Sequence, residues 1–214
     1  MKVALVVEGS TKHHAEDVWD VLSDFTEHER YQLGMRNEEG EETLNFLQTS
    51  AITAILLNLK AVDFVIGGCG SGQGFFNGVM AYPDIRCGLI YDPLEAWMYM
   101  RVNAGNCISL PLNRGWGLAG KEQIRLILQQ VFSAPVGGGY PPERAELIRN
   151  MHQLLRTQNN SFRKSFLEIL PLMDREILLP ALRSKGMKEL VESAPESAEK
   201  NAVMEVYKKE IDKI

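Results

Sequence analysis

The stretch Ala61–Gly78, AVDFVIGGCGSGQGFFNG, limits what this chain can fold into more than any other segment. Its apolar run Phe64-Val65-Ile66 is long enough for one buried strand, and six glycines follow within twelve residues, with Cys69 among them. A helix is expected to open around Gly72–Gly74. A strand that ends in a glycine-rich turn at a helix N-terminus exposes backbone N–H groups and the positive end of a dipole. The segment therefore predicts an anion-holding site, where the pKa of a thiol would be lowered.

The composition excludes several classes of function. The 214 residues carry a formal net charge of −5, whereas a nucleic-acid surface needs a basic field. No apolar run approaches the roughly 20 residues that span a bilayer, so no membrane association is expected. The opening MKVALVVEG meets an acid too early for a signal peptide and predicts a strand. Three cysteines without framework spacing favour free thiols in a reducing compartment, so a cytoplasmic location is expected.

The first half of the chain alternates strand-like runs with segments of helical period, in the order βαβαβαβαβ. The predicted strands are Lys2–Val7, Arg30–Met35, the run from Phe64, Arg86–Tyr91 and Cys107–Leu110. The predicted helices run from about His13 to Asp24, along an amphipathic face from Leu44 to Leu59, from about Gly72, and from Pro93 to about Val102. This order is typical of α/β folds. We predict a three-layer, Rossmann-like, five-stranded parallel sheet with helices on both faces.

Beyond Lys121 the chain is predicted to be helical. One helix is expected around Ile124–Val131, a break at Pro135–Pro142 and a second helix at Arg144–Arg156. We therefore divide the chain into an α/β domain at 1–150 and a C-terminal helical extension at 151–214. Fraying is expected near Ser193–Lys200.

Four loops are candidates for the lining of a site. In parallel sheets, ligands bind beyond the carboxyl ends of the strands. The loops at Glu8–Thr11, Gly67–Gly74 and Asp92 follow strands directly, and Asn103–Asn106 lies at a helix end. We expect these four loops to converge.

Two segments together complete a family pattern: GGCGSGQGFFNG and, shortly after it, RCGLIYDPLEAWMYMRVNAGNCISL. They resemble the type B ribose-5-phosphate isomerases and galactose-6-phosphate isomerase subunits, which carry a C-G-S/T-G-x-G turn, a following Asn, a strand ending in Asp and an H-N-x-x-N loop. The resemblance covers roughly residues 1–150. It implies aldose–ketose isomerisation of a small phosphosugar through a cis-enediolate, with no cofactor and no metal.

The resemblance also assigns roles at the glycine-rich turn. Cys69 is implied as the base that moves a proton between C1 and C2, and Ser71 as the hydroxyl that moves protons at the substrate oxygen. The N–H groups of Gly70, Gly72 and Gly74 are implied to hold the enediolate oxygens. Physical chemistry agrees, because a helix N-terminus lowers a thiol pKa from its usual value of about 8.5, and fixed donors stabilise an oxyanion.

Phosphate binding in the family relies on arginines. Arg114 is the nearest match to an arginine that follows the last strand. In the family's G-G-R-H-x-x-R run, Arg144 keeps the second arginine, while Tyr140 and Pro141 replace the first arginine and the histidine. The family builds its sites at a dimer interface, which implies a homodimer in which some of these residues serve the partner's pocket.

Two departures from the family pattern bear on the substrate. The ring-opening histidine is Val102 here, ahead of the retained Asn103 and Asn106, and the Asp-His after the first strand is Glu8-Gly9. Valine cannot donate or accept a proton. A substrate that needs no ring opening, such as a four-carbon phosphosugar, is therefore one hypothesis. Glu8 and Asn103 are predicted to contact the substrate.

Other interpretations stay open. A sugar-phosphate-binding protein would keep the anion pocket without turnover, and a carbohydrate epimerase would use a related proton transfer. A nucleotide is disfavoured, because the turn lacks both G-x-x-x-x-G-K-S/T and a G-x-G-x-x-G followed by a suitably placed acid. The purely structural alternatives make Ser71 and Asp92 helix caps and Arg144 part of a solvated face. Cys87 and Cys107 are expected to be core residues.

Overall fold

A computed structural model describes residues 1–133 and 136–212. The strands are β1 Lys2–Val7, β2 Glu29–Gly34, β3 Phe64–Cys69, β4 Cys87–Leu89 and β5 Cys107–Pro111. They form one parallel sheet in the order β2-β1-β3-β5-β4, which confirms the predicted five-stranded sheet. β4 is shorter than the predicted Arg86–Tyr91, because this edge strand pairs with β5 alone.

Helices connect the strands and continue beyond them. Those of the α/β layers are α1 Ala15–Ser23, α2 Phe46–Asn58, α3 Gln73–Met80, α4 Pro93–Met98 and α5 Gly120–Phe132. They are followed by α6 Ala145–Phe162, α7 Phe166–Ile169, α8 Arg175–Arg183, α9 Met187–Ser193 and α10 Ala198–Val206. Short 3₁₀ turns lie at Gly9–His14, Pro142–Arg144 and Leu170–Leu172, and π-helical turns at Tyr99–Asn103 and Tyr207–Ile211.

The sheet separates two apolar cores. Val3, Leu5 and Val7 of β1 face the core that α1, α4 and α5 close. Ala4 and Val6 face the core that α2 and α3 close. Strands buried on both faces are typical of parallel sheets, and the predicted three-layer arrangement is confirmed.

Helix α2 is buried on all sides. Every residue from Thr49 to Leu57 is buried, so the prediction of an amphipathic helix is wrong. The reason is a second cover: Leu178 and Leu182 of α8 belong to the same core as α2. A helix that is apolar all round needs protein on every side. The C-terminal extension supplies the outer side.

The segment Ser193–Lys200 is folded, and the prediction of fraying there is wrong. The Ser197 side chain accepts from Lys200 N at 3.1 Å and caps α10, while Lys200 Nζ donates to Ala194 O at 2.9 Å. The predicted break at Pro135–Pro142 begins outside the described residues. The last two residues of the predicted extension, 213–214, also lie outside them. The division at residue 150 falls inside α6 and stays a prediction. Within the described ranges, no helix has the length and apolar character that crossing a membrane requires.

Candidate active site

All strands of the parallel sheet begin at one end of the sheet and finish at the other. We call the end where they begin the amino edge and the end where they finish the carboxyl edge. At the carboxyl edge lie the residues that follow the strands: Glu8, Gly70, Ile90 and Leu112. At the amino edge lie the residues that precede them, among them Asn106, whose carbonyl accepts from Val65 N at 3.0 Å. Helices that follow parallel strands place their N-termini at the carboxyl edge, which favours negative charge there.

Cys69 is the last residue of β3, and it lies beside Pro111 of β5. Its side chain is 7% exposed. The sulfur lies against the first turn of α3: a Cβ built on Gly74 would be 3.6 Å from Cys69 Sγ and 3.3 Å from the Phe46 ring. The missing side chain at Gly74 therefore leaves the helix N-terminus open to the sulfur, with the partly exposed Phe46 ring beside it.

The turn after Cys69 depends on glycine at one position above all. Gly72 has φ +78° and is the N-cap of α3, and its N–H donates to Cys69 O at 3.2 Å. A Cβ there would be 2.6 Å from Leu89 Cδ1 and 3.2 Å from Pro111 N. Only glycine adopts this left-handed conformation without strain and fits this space.

Some backbone N–H groups of this turn donate to acceptors within the turn, and others have no acceptor in the part of the chain that the structure describes. Gly72 N–H donates to Cys69 O within the turn, and its implied role as an enediolate donor stays a prediction. Gln73 N donates to the exposed Ser71 hydroxyl at 3.3 Å. Among the described residues, no acceptor lies in reach of the N–H groups of Gly70, Ser71 and Gly74. Sequence reasoning missed Ser71 N–H, because the motif names glycines and not the free amides.

Glu8 lies beside this turn. Its side chain is 6% exposed, and its carboxylate accepts from Ser10 N at 3.1 Å and from the Ser10 hydroxyl. Ser10 and Asn113 in turn reach Gly70, where a Cβ would be 3.5 Å from Ser10 Oγ and 3.0 Å from Asn113 Nδ2. Asn113 Nδ2 donates to Ser10 O at 3.3 Å. Sequence reasoning missed Ser10 and Asn113, although both are polar residues in loops that follow strands.

Arg114 lies farther along the same edge. Its guanidinium stacks over the Tyr91 ring at 4.6 Å, and both line a cavity of about 250 Å³ with Asp92. Gln73 Nε2 donates to Tyr91 Oη at 3.1 Å, which joins this cavity to the turn after Cys69. Asp92 accepts from Glu95 N at 2.9 Å, so it is the N-cap of α4. Tyr91 and Gln73 are further residues that the sequence did not single out.

Asn103 and Asn106, which precede β5, lie at the amino edge of the same protomer. Asn106 Oδ1 accepts from Arg86 N at 2.8 Å and its Nδ2 donates to Asp84 O at 2.9 Å, so its amide ties loops together. From Val65, beside Asn106, to Cys69 is four strand residues, or about 13 Å. The prediction that Asn103–Asn106 converges with the other loops is therefore wrong within one chain.

Tyr140 lines a surface cavity with Pro93 and Leu94 at the start of α4. Tyr140 is half exposed and its ring packs edge-on against Trp97 at 4.9 Å. Arg144 is exposed at the start of α6. The Arg101 guanidinium lies over the Trp97 ring, 4.6 Å from the ring centroid, and Gly139 N donates to Arg101 O at 3.0 Å. Asn103, two residues after Arg101, is exposed.

The other two cysteines lie in the core. Cys87 and Cys107 are buried, as predicted for core residues, and both are free. In the described part of the chain, no three His, Cys, Asp or Glu side chains are grouped to hold a metal ion.

Comparison with known proteins identifies the family. The sequence model of the Ribose/Galactose Isomerase family matches residues 3–148. A ribose-5-phosphate isomerase structure from Vibrio parahaemolyticus is 31% identical and covers 96% of this chain and 99% of its own, with a TM-score of 0.90. A 4-deoxy-L-threo-5-hexosulose-uronate ketol-isomerase, solved with a tartrate, is 30% identical and covers 96% of this chain and 98% of its own, also at 0.90.

A third structure shares the fold alone. The ribose 5-phosphate isomerase of Thermotoga maritima is 24% identical and covers 69% of this chain and 96% of its own, with a TM-score of 0.55. A search of curated protein sequences found no match. The two matches that cover 96% of this chain include most of the C-terminal extension. The family resemblance is thus confirmed: the chain belongs to the ribose/galactose isomerase family and is a sugar isomerase, an intramolecular oxidoreductase.

Proposed function

We propose that the enzyme interconverts an aldose and a ketose of a small anionic sugar, with Cys69 as the base. One observation carries the proposal: the Cys69 sulfur lies at the carboxyl end of β3 against the first turn of α3. The N–H groups of that turn stabilise negative charge at the sulfur and at an adjacent ligand.

In the proposed reaction, the Cys69 thiolate takes the proton from C2 of the aldose. The electron pair of the broken C–H bond forms the C1–C2 double bond, and the carbonyl oxygen becomes the enediolate oxygen. The N–H groups of Gly70, Ser71 and Gly74, which have no backbone acceptor among the described residues, would stabilise that oxygen. The thiol then returns the proton to C1, while the Ser71 hydroxyl relays the proton between the two oxygens. No outside oxidant or reductant is needed.

A homodimer would complete the site. Asn103, Tyr140 and Arg144 are exposed, and we propose that they line the pocket of a partner. The apolar stripe of α6 supports a second copy, since its members are half to three-quarters exposed: Leu147, Met151, Leu154, Leu155 and Phe162. A contiguous apolar stripe of this kind is typical of an interaction surface. In an isologous dimer the stripes of the two copies would bury each other.

The substrate proposed first is a phosphosugar, ribose 5-phosphate or a shorter open-chain sugar phosphate. Arg114 at one edge and Arg144 at the other are the proposed phosphate contacts. The free, buried thiols support a reducing, cytoplasmic setting.

A second candidate substrate is an open-chain uronate. One observation favours it: Val102 and Tyr140 stand where the phosphosugar pattern has a histidine and an arginine. The uronate ketol-isomerase matches this chain as fully as the ribose-5-phosphate isomerase from Vibrio parahaemolyticus does. A carboxylate needs fewer cationic partners than a phosphate dianion. The chemistry at Cys69 is the same for both substrates.

The test replaces Cys69 by alanine, with Cys87→Ala as the matched control. Both thiols are buried and free, but Cys87 begins β4 at the amino edge. We expect Cys69→Ala to lower kcat/KM by roughly 10²–10⁴-fold while circular dichroism stays native, because loss of a general base costs about that much. Cys87→Ala should keep turnover.

The assay uses ribose 5-phosphate, a four-carbon aldose phosphate and 4-deoxy-L-threo-5-hexosulose-uronate. Preference for the uronate selects the second candidate, and clear preference for ribose 5-phosphate removes the open-chain hypothesis. Equal activity of the two variants would overturn Cys69 as the base. Binding without turnover of any sugar would make the chain a binding protein.

A further inference from the structure

A cavity of about 480 Å³ lies at the amino edge, where the C-terminal extension joins the α/β layers. Its walls come from the end of α2, the loop before β4, the end of α6 and the turns before α7 and α10. None of the residues placed in the proposed reaction lines it. Five cationic side chains do: Lys60, Arg86, Arg156, Arg163 and Lys164.

The cations of this cavity lack carboxylate partners. Within the described ranges, none of the five has a carboxylate oxygen within 4 Å. Two of the four acids that line the cavity are engaged elsewhere: Glu168 accepts from Ser165, and Glu196 pairs with Lys200 at 2.6 Å. With five cationic and four acidic side chains in its lining, the cavity carries a net positive charge.

Arg86 and Arg156 are close enough to repel each other. Arg86 is half-buried and its Nε donates to Ala104 O at 3.2 Å, which fixes the guanidinium. Burial lowers the pKa of Arg86, the charge of Arg156 lowers it further, and Tyr99 and Asp84 partly oppose them. Two guanidinium groups that repel each other in the wall of one cavity are stabilised by an anion that bridges them, since arginine recognises phosphate and carboxylate oxygens in pairs.

The walls also carry polar groups that would meet the rest of a ligand. The side chains of Asn159 and Asn160 line the cavity and make no hydrogen bonds within the described chain. Lys60 and Asp84 line it in left-handed conformations, with φ of +54° and +58°. Strained backbone of this kind is concentrated at binding sites.

We propose that this cavity is a second binding site, separate from Cys69, for a small phosphorylated ligand whose phosphate bridges Arg86 and Arg156. The asparagines would then face the hydroxyl groups of a phosphorylated metabolite. The site takes no part in the isomerisation.

The test follows backbone amide signals of the full-length Cys69→Ala protein by NMR during titration with inorganic phosphate and, separately, ribose 5-phosphate. The catalytic variant prevents turnover of the sugar. We expect saturable shifts at Asp84, Arg86 and Asn159 with both ligands. Tighter binding of ribose 5-phosphate than of phosphate, measured at these signals, would show that the cavity also contacts the sugar. Equal affinities would show that it contacts the phosphate alone. Either outcome supports the site.

Arg156→Gln should weaken binding at those signals by about tenfold, which corresponds to the loss of one charge-assisted contact. Arg156→Lys should recover part of it. Arg183→Gln is the matched control, because Arg183 is also exposed but lies outside the cavity. Shifts confined to the surroundings of Arg114 or Arg144, or no change of affinity in Arg156→Gln, would overturn the proposal. Neither outcome bears on the role of Cys69, which the turnover assay decides.

Discussion

The two edges of the sheet use polar residues in different ways. At the carboxyl edge, the turn after β3 leaves the N–H groups of Gly70, Ser71 and Gly74 free. At the amino edge, side chains satisfy the backbone instead: Tyr99 Oη donates to Arg86 O at 2.5 Å and to Cys107 O at 2.9 Å, and the Asn106 amide bonds to two further loop groups. Free backbone donors suit a changing ligand charge, whereas saturated ones suit a fixed structure.

This difference shows that place in the fold decides the use of a residue. Asn103 and Asn106 belong to one sequence motif, yet Asn106 holds the amino edge together while Asn103 is exposed. In a single chain, a pocket made only at the carboxyl edge lacks Asn103 and Arg144. A dimer would bring the carboxyl edge of one copy to the exposed amino-edge surface of the other.

The largest expected effect comes from splitting the two edges between two chains. Cys69→Ala damages the carboxyl edge, and a double Asn103→Ala/Arg144→Ala variant damages the amino edge. Each homodimer should lose most of its turnover. In a mixed dimer, one pocket receives both intact edges, so random mixing should restore about a quarter of wild-type activity. Coexpression of differently tagged chains followed by an activity assay measures this.

The control mixes two variants of the same edge, Cys69→Ala and Ser71→Ala. Each pocket then takes its whole carboxyl edge from one damaged chain, so activity should not recover. Recovery in the control, or none in the first mixture, would contradict a pocket shared between chains.

An intermediate effect is expected at Gly72. Gly72→Ala should lower the free energy of unfolding by roughly 2–4 kcal/mol, from the left-handed backbone and from overpacking against Leu89 and Pro111. Turnover should fall with it, because the same turn presents the free donors. Urea denaturation and an activity assay measure the two changes.

Gly115→Ala is the matched control at the same edge. Gly115 also has positive φ, +66°, but a Cβ there would meet nothing within 4 Å. Its loss of stability should be limited to the backbone cost of about 1 kcal/mol. Equal losses for the two variants would mean that crowding at the turn after Cys69 is unimportant.

Sequence pattern predicted the layers of this fold well, because period and turn chemistry are local. The run at Phe64, the glycines after it and Pro93 after Asp92 each specify a strand end or helix start from their own neighbours. The burial of α2 was not predictable in that way. Its outer cover is supplied by α8, more than a hundred residues later, and no local period reports such a partner.

The candidate site was predictable in part for the same reason. The motif places Cys69 and Ser71 at a strand end, and the local sequence alone is enough to predict that position. Which N–H groups stay free depends on turn geometry, as Gly72 shows by donating to Cys69 O. Ser10, Asn113 and Tyr91 reach the turn from other strands, so only the assembled sheet reveals them.

The smallest expected effect is a pH dependence confined to the carboxyl edge. His14, after β1, stacks on Trp116, after β5, with ring centroids 3.7 Å apart. Burial lowers the pKa of His14 below its ordinary value of 6.5, His13 lowers it further, and Asp17 partly opposes them. The unfolded chain therefore binds the proton more readily. The contribution of neutral His14 to stability is complete above about pH 6.5 and is lost as the pH falls below it.

Replacing His14 by phenylalanine keeps a stacked ring but removes the titration. We expect the free energy of unfolding, from urea denaturation, to fall less between about pH 7.5 and pH 5.5 in His14→Phe than in the wild type. Tyr99→Phe is the comparison at the amino edge. It should lower stability at every pH, because it removes the buried hydroxyl that bonds to Arg86 O and Cys107 O. It should keep the wild-type slope, since burial raises the pKa of Tyr99 far from this range. Equal slopes in His14→Phe and the wild type would show that the stack at the carboxyl edge does not sense protons.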